Sequence, residues 1–363
     1  MSEFDVIIVG GGIAGASLGA QIAAKRRTLI VEAEEQCGYH ATGRSAAFYL
    51  ESYGGPDVAK LTLASQGFLA SPPDDFSDHG FLRVRGDLHL TRDELPELPD
   101  TVESRLVERA ELERLIPGIR PQWRRALFEP SCADIDVAGL HAAYLRQFRR
   151  AGGTVRSAAQ AIRSERARGL WRVRLADDSI VSAPYLVNAA GAWADDFARA
   201  AGVAPLGIEP KRRTMVQLRV ARSGLRDFPL VDAADGTFYF KGESDRSVWL
   251  SPHDEIPSDP CDAAPEEEDI AVAIDRFEQV VDWPIERVER SWAGLRSFAR
   301  DRLPVYGFDP DAPGFFWCAG QGGFGIQTSP AAAAIAASLL LEEEPPEFLN
   351  QVDPDVYSPA RFA

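Results

Sequence analysis

A glycine cluster near the start of the chain restricts its folding choices more than any other feature. Gly10-Gly11-Gly12-Ile13-Ala14-Gly15 fits G-x-G-x-x-G and follows the short apolar run Phe4 to Val9. Ile13 to about Lys25 is rich in Ala and reads as a helix, and Thr28 to Val31 is a second apolar run closed by Glu32. Strand, glycines, helix, strand and acid in that order specify a βαβ unit in a parallel sheet. Each glycine has its own task. Gly10 turns the chain out of the strand, Gly12 leaves room for a pyrophosphate, and Gly15 lets the helix pack closely on the sheet. The helix N-terminus then meets phosphate with unpaired N–H groups and a positive dipole end. Glu32 stands where it accepts from adenosine ribose hydroxyls. The unit does not by itself separate FAD from NAD.

The rest of the chain is too long to be an elaboration of that unit. Its 363 residues exceed what one core supports, so two domains are expected. Gly139 to Arg150 reads as a helix, with Leu140, Tyr144, Leu145 and Phe148 on one side and Gly152-Gly153 ending it. Val155 returns to the sheet. Trp171 to Leu175 and Ile180 to Ser182 form a hairpin around Asp177-Asp178, and Tyr185 to Asn188 is an apolar strand. Between Val203 and about Arg296 the segments Met215 to Val220, Thr237 to Lys241 and Ser247 to Leu250 alternate like antiparallel strands. A helix from Glu266 to Val281 interrupts them. Phe315 to Cys318 is a last buried strand, and a helix follows from about Pro330 to Leu341. The expected fold is α/β combined with α+β. A discontinuous Rossmann-like cofactor domain takes residues 1–80, 134–205 and 297–363. A second, mostly antiparallel substrate domain takes 81–133 and 206–296.

Composition removes several classes of function. The net charge of −16 argues against nucleic acid, which needs a basic surface. Cys37, Cys132, Cys261 and Cys318 are scattered, with no CxxC pair, so neither a metal site nor a disulfide framework is expected. This usage fits a reducing cytoplasm. There is no apolar run of about 18 residues and no leader pattern, so no membrane span is expected, with peripheral membrane contact left open.

Three later segments point to FAD. Gly38-Tyr39-His40-Ala41-Thr42-Gly43-Arg44-Ser45-Ala46-Ala47 is small and polar enough to lie along a pyrophosphate and ribityl chain. Asn188-Ala189-Ala190-Gly191-Ala192-Trp193 ends a strand in residues that permit close approach. Gly320 to Pro330 opens the last helix, with Ser329 suited to the N-cap and Pro330 to the first helical position. Its dipole would stabilise negative charge on a reduced flavin ring. Cofactor contact is therefore expected from Gly10, Gly12, Ala14, Gly15, Glu32 and Ala33, then from Ala41, Thr42, Gly43, Arg44, Ser45, Ala46 and Ala47. Ala161, Ala190, Gly191, Trp193, Gly322, Gly323, Phe324, Gly325, Ile326 and Gln327 complete the set.

With these segments together, the chain resembles the DAO family of FAD-dependent oxidoreductases, and within it the bacterial D-arginine dehydrogenases. The resemblance is carried by Gly38 to Ala47, Asp134 to Asp136, Leu186 to Ala194, Pro210 to Arg213, Trp292 to Phe298 and Gln321 to Ser329. It implies hydride transfer from the α-carbon of a D-amino acid to flavin N5, a 2-oxo acid and ammonia as products, and a quinone or other electron acceptor. A glycine- or sarcosine-type oxidase releasing peroxide and a 2-hydroxy acid dehydrogenase share the scaffold. In the resemblance Arg296, Tyr239 and Tyr53 are catalytic. Arg296 clamps the substrate carboxylate with two parallel hydrogen bonds. Arg213, or its neighbour Arg212, assists. Tyr239 touches the carboxylate and Tyr53 lines a lid. Gly323 and Gln327 border the substrate. Asp87 stands where the relatives have a glutamate that meets a cationic side chain. Phe48 replaces a histidine, and phenylalanine carries no proton. Leu50 likewise replaces a polar residue. The pocket is thus expected to be more apolar, which leaves lysine, methionine and aromatic D-amino acids open. His40 lies in a stretch similar to the flavin-attaching histidine of dimethylglycine dehydrogenases, but the D-arginine pattern implies non-covalent FAD.

Overall fold

The first strand, β1 (Val6–Val9), is buried along its whole length at the centre of a six-stranded sheet. The structure, a computed structural model, describes residues 4–92, 94–99 and 101–362. Helix α1 (Ile13–Ile22) returns the chain to β2 (Thr28–Val31), which pairs with β1 in parallel. Two close backbone approaches make this possible. A Cβ on Gly10, whose φ is +105°, would lie 2.3 Å from the Ala189 carbonyl oxygen, and a Cβ on Gly15 would lie 2.0 Å from that of Gly10. Only glycine fits such gaps. The sheet order is Val305–Phe308, Phe315–Ala319, Tyr185–Asn188, β1, β2, Thr154–Arg156. All neighbours are parallel except the first pair.

Both faces of this sheet are covered, as parallel sheets require. Helix α1 packs between helix Val137–Arg150 and helix Ser329–Leu341 on one face. The last helix is almost wholly buried, and its alanines let neighbouring backbones come close. It starts one residue earlier than its sequence suggests. Thr328, not Ser329, is the N-cap, because its hydroxyl is already turned back to the Phe324 carbonyl at 2.9 Å and Ser329 has joined the helix. On the other face, the hairpin Leu170–Leu175 and Ile180–Ala183, with Ala161–Ala167, forms a small antiparallel sheet. It packs Trp171, Val173 and Leu175 against Ile7, Leu29 and Phe315.

The second large sheet has nine strands drawn from residues 87–129 and 209–298. It is antiparallel apart from one pair, Asp87–Thr91 beside Leu230–Ala233. Its two longest strands, Glu209–Val220 and Ile285–Phe298, pair along nearly their whole length, with Arg213 opposite Gly294 and Met215 opposite Trp292. Helix Glu267–Glu278 buries Ala273 and Phe277 against the sheet. It stops short of the expected Val281 because Gln279 caps it with bonds to Asp275 and Phe277. Strand Ile285–Phe298 also links the two sheets. Phe298 bridges Gln321, and the Gly322 N–H donates to the Ser297 carbonyl at 2.8 Å. A fourth sheet, of the three strands Phe48–Tyr49, Ala133–Ile135 and Leu82–Val84, lies at the junction. No described helix is long and apolar enough to cross a membrane.

Gly15→Ala is expected to cost about 1–3 kcal/mol, because the added methyl meets backbone. It should lower the thermal midpoint and the flavin-to-protein absorbance ratio. Gly67 is the control. It sits inside helix Pro56–Ala70, and a Cβ there meets nothing within 4 Å. Gly67→Ala should raise stability by about 0.5–1 kcal/mol.

Candidate active site

A cavity of about 690 Å³ runs from the glycine turn of β1 to the inner face of the nine-stranded sheet. At one end its wall is Gly10, Gly12, Ala14, Glu32 and Ala33, joined by Ala41, Thr42, Arg44, Ser45 and Ala46. Ala161, Ala190, Gly191, Trp193, Gly322, Gly323, Gly325 and Ile326 continue it. These residues fit an FAD. Helix α1 opens on Gly12, which has no side chain of its own to cap it, and its first residues line the cavity, so its N-terminal dipole faces the cavity. Glu32 is 9% exposed and accepts the Gly11 N–H at 2.8 Å and the Glu34 N–H at 3.0 Å. Its carboxylate is thereby fixed, with lone pairs left for ribose hydroxyls. Thr42 Oγ1 accepts the Ile13 N–H at 3.0 Å, which holds the 38–47 loop over the helix start. Arg44 reaches across to the other sheet. It donates to the carbonyls of Ala263 and Ala293 and pairs with Asp262.

The far end of the cavity is built on strand alternation. Arg213 and Met215 are two apart on one strand, and Gly294 and Arg296 two apart on its partner, so all four face inward. Arg212 points the other way, to Glu266 and Asp269 at 2.7 and 2.8 Å. Arg296 Nη1 donates to the Tyr53 hydroxyl at 2.9 Å. A Cβ on Gly323 would crowd both, at 2.8 and 2.7 Å, so this glycine holds the space in front of the pair. Arg213 is 3% exposed. Its Nε donates to the Asp254 carbonyl at 2.7 Å, but both terminal nitrogens are buried without a hydrogen-bond partner. Its ion-pair contacts with Asp254 and Glu255 are long, at 3.7 and 3.5 Å. Tyr239 donates its hydroxyl to Met215 Sδ at 3.0 Å.

The charges tune one another. Burial lowers the Arg213 pKa, and Arg296 beside it lowers it further. Burial would also lower Arg296, but Tyr53 and Tyr239 raise it. Burial would raise Tyr53, yet Arg296 and Arg213 together bring its hydroxyl below the ordinary tyrosine value. His253 packs against the Tyr239 and Tyr53 rings, and burial next to Arg213 brings it down to about 4, so it is neutral near pH 7.

Several expected residues lie elsewhere. Gly15, Gly43, Ala47, Phe324 and Gln327 do not line the cavity. Gly15 serves helix packing, and Gly43 closes its loop by donating to the Gly38 carbonyl at 2.8 Å. Phe324 backs Tyr53 at 5.3 Å between ring centres. The Gln327 side chain is taken up by the Leu50 backbone and Thr62, so it is an anchor and not a ligand group. Phe48 stands behind Tyr239, ring centres 5.9 Å apart, under the Lys241 ammonium. Asp87 is fully buried away from the cavity wall, because its strand turns it toward His89 and Glu129. It is not part of the cavity lining. Met215 and His253 were missed by sequence reasoning. Met215 was within reach of the two-residue period from Arg213; His253 had no local signal.

A doubly wound sheet with a glycine turn, a ribose-facing acid and a cavity running to paired arginines defines a flavin-dependent oxidoreductase. The chain belongs to the FAD dependent oxidoreductase (DAO) family, whose pattern matches residues 5–339, and FAD is its cofactor. It is 27% identical over 183 residues to FAD-dependent oxidoreductase domain-containing protein 1 of Xenopus laevis, a match covering 45% of this chain and 36% of that protein. It is 23% identical over 288 residues to the mitochondrial L-2-hydroxyglutarate dehydrogenase of Homo sapiens, covering 69% and 61%. The chain thus spans about a third and three fifths of these two curated relatives. Glycine oxidase from Geobacillus kaustophilus has the same fold, with a TM-score of 0.81 at 20% identity, covering 96% of this chain and 98% of that one.

Arg213→Met removes one of the two positive charges that face Tyr53. The Tyr53 pKa is therefore expected to rise. The check is an ultraviolet pH titration of tyrosinate, taken as the difference between proteins with and without Tyr53→Phe. An unmoved titration would mean that Arg213 does not act on Tyr53.

Proposed function

We propose that the protein oxidises the α-carbon of a small amino acid, with apolar D-amino acids as the leading substrate class. The observation that supports this most is the lining of the cavity by buried Arg213, both terminal nitrogens of which lack a hydrogen-bond partner, and by half-buried Arg296. A carboxylate bound there gains charge-assisted, bidentate hydrogen bonds in a water-poor site. Tyr53 is held by Arg296 and so adds a fixed hydroxyl to the clamp. Clamping orients the α-C–H bond, and alignment of this kind carries much of the rate. FAD, when bound, supplies the acceptor for the hydride. The same two cations disfavour an ammonium, so a bound amine loses its proton more readily than in water. The D configuration rests on the sequence resemblance to D-arginine dehydrogenases. A cationic side chain loses its anchor with Asp87 turned away, while Met215, Tyr239 and Phe48 favour an apolar one.

A second reading is oxidation of a 2-hydroxy acid bearing another carboxylate. Arg213 favours it, because its two unpartnered nitrogens would suit the extra anion. An anaerobic flavin-bleaching screen over D-, L- and N-methyl amino acids and 2-hydroxy acids separates the two. Bleaching by apolar D-amino acids is expected. Bleaching by 2-hydroxy dicarboxylates alone would replace the first reading with the second. Peroxide formation in air would mark an oxidase; reduction of a quinone without it would mark a dehydrogenase.

Arg296→Met should lower kcat/KM by about 2–5 kcal/mol, roughly 30- to 5,000-fold, with partial recovery in Arg296→Lys. Equal activity in all three would remove Arg296 from the clamp. We further propose that FAD is held without a covalent bond. His40 Nε2 is engaged with Glu34 at 2.8 Å and its ring lies on Trp193. Acid precipitation should therefore leave the yellow colour in the supernatant, and a yellow pellet would refute this.

A further inference from the structure

Next to the substrate end of the cavity, the nine-stranded sheet carries a buried group of ionisable side chains that the oxidation does not use. Pairing brings them together from distant segments. His89 lies opposite Asp232, Asp87 opposite Glu129, and Asp232 opposite the cavity-lining Tyr239. Asp87 and His89 are two apart on one strand and so share a face. His89 Nδ1 is 2.9 Å from Asp232 Oδ1 and 3.7 Å from Asp87 Oδ2, and its Nε2 is 3.3 Å from Glu129 Oε2. Asp87 and Glu129 are fully buried and His89 is 5% exposed.

Two features of this group call for a cation. Among the described residues, the ion pairs of Asp87, Asp232 and Glu129 all run to His89, so three carboxylates face one imidazole. Buried carboxylates without matching positive charge are costly. Second, both Asp87 carboxylate oxygens are buried with no hydrogen-bond partner, and Asp87 is turned into the group. An unsatisfied buried carboxylate of this kind is rare and points to a missing ligand.

We propose that Asp87, His89 and Asp232 bind a divalent first-row transition cation, with zinc best suited to the donors. One ligand atom from each lies within 4.8 Å of the others. Zinc–nitrogen and zinc–oxygen bonds of about 2.0–2.2 Å put adjacent ligand atoms about 3.4 Å apart. The separations of 2.9 and 3.7 Å from His89 Nδ1 bracket that spacing. The ion takes the place of the Nδ1 proton. Nε2–H then donates to Glu129, which is itself fixed by the Glu51 N–H at 2.9 Å. A carboxylate on the outer nitrogen of a ligand histidine is the usual support for such a site. The Asp232 side chain, 25% exposed, marks the side from which the ion enters and where solvent completes its shell. The ion would cross-link two neighbouring strands, one of which pairs with the Tyr239 strand.

The test is metal analysis of the FAD-loaded protein, dialysed first against zinc chloride and then against metal-free buffer. About one zinc per chain is expected, with a thermal midpoint that falls on chelation and returns with zinc. Asp87→Asn and His89→Gln should each cut retained zinc at least tenfold. Cobalt loading should give a high-spin Co(II) electron paramagnetic resonance signal, which oxidised flavin does not mask and which is absent from His89→Gln. Failure of the unaltered protein to retain zinc or to give the cobalt signal would overturn the proposal in favour of a proton-sharing cluster. Equal zinc in the unaltered protein and both variants would also overturn it. Neither result bears on substrate oxidation, which the flavin-bleaching screen reads separately.

Discussion

Backbone meeting backbone at Gly10 is the constraint on which the rest of this structure depends. The turn out of β1 is squeezed between the Ala189 carbonyl on one side and the α1 backbone at Gly15 on the other. No side chain fits in either gap, so strand, turn and helix have one arrangement. That arrangement points the helix dipole into the cavity and sets Glu32 against the Gly11 N–H. It also sets the depth at which the 38–47 loop, tied down through Thr42, closes over the helix start. From that loop Arg44 extends to the carbonyls of Ala263 and Ala293, so the position of the second sheet is referred back to the first turn.

The chemistry of the site follows from pairing two cations where water is scarce. Each guanidinium makes the other more costly to bury, and Arg213 is only partly relieved by Asp254 and Glu255 at long range. The protein tolerates this because the long strands hold both side chains on one face and the rigid fork of arginine loses little entropy on binding. The unrelieved charge lowers the Tyr53 pKa, and in the function proposed above it is also what would attract a carboxylate and disfavour an ammonium.

What could be read in the sequence was whatever short spacing encodes. Gly10, Gly12, Gly15 and Glu32 fall in one local unit, and the burial of β1, α1 and β2 follows their apolar pattern. The hairpin around Asp177-Asp178 was legible for the same reason. Arg213 and Arg212 were not separable, because the strand begins at Glu209 and the alternation that sorts them depends on where pairing starts. Asp87 was misread. Its surroundings come from Asp232, Glu129 and His89, and only the register of three strands brings these together. The expectation that no metal binds rested on linear spacing of cysteine and histidine, which is blind to ligands on separate strands.

The six-stranded sheet is assembled from three stretches of chain, and this bears on how the protein is made. The sheet grows around β1 in the order β2, Thr154–Arg156 beside β2, Tyr185–Asn188 beside β1, and last Val305–Phe308 and Phe315–Ala319, the latter beside Tyr185–Asn188. While the ribosome is still decoding the nine-stranded sheet, the nascent chain therefore carries an open sheet edge and a flavin cradle with one wall missing. Gly322 to Ile326 and the helix that covers α1 do not yet exist. The residues that close the cradle are thus translated after both of its other walls. Until then the unpaired edge is a target for chaperones and a liability for aggregation.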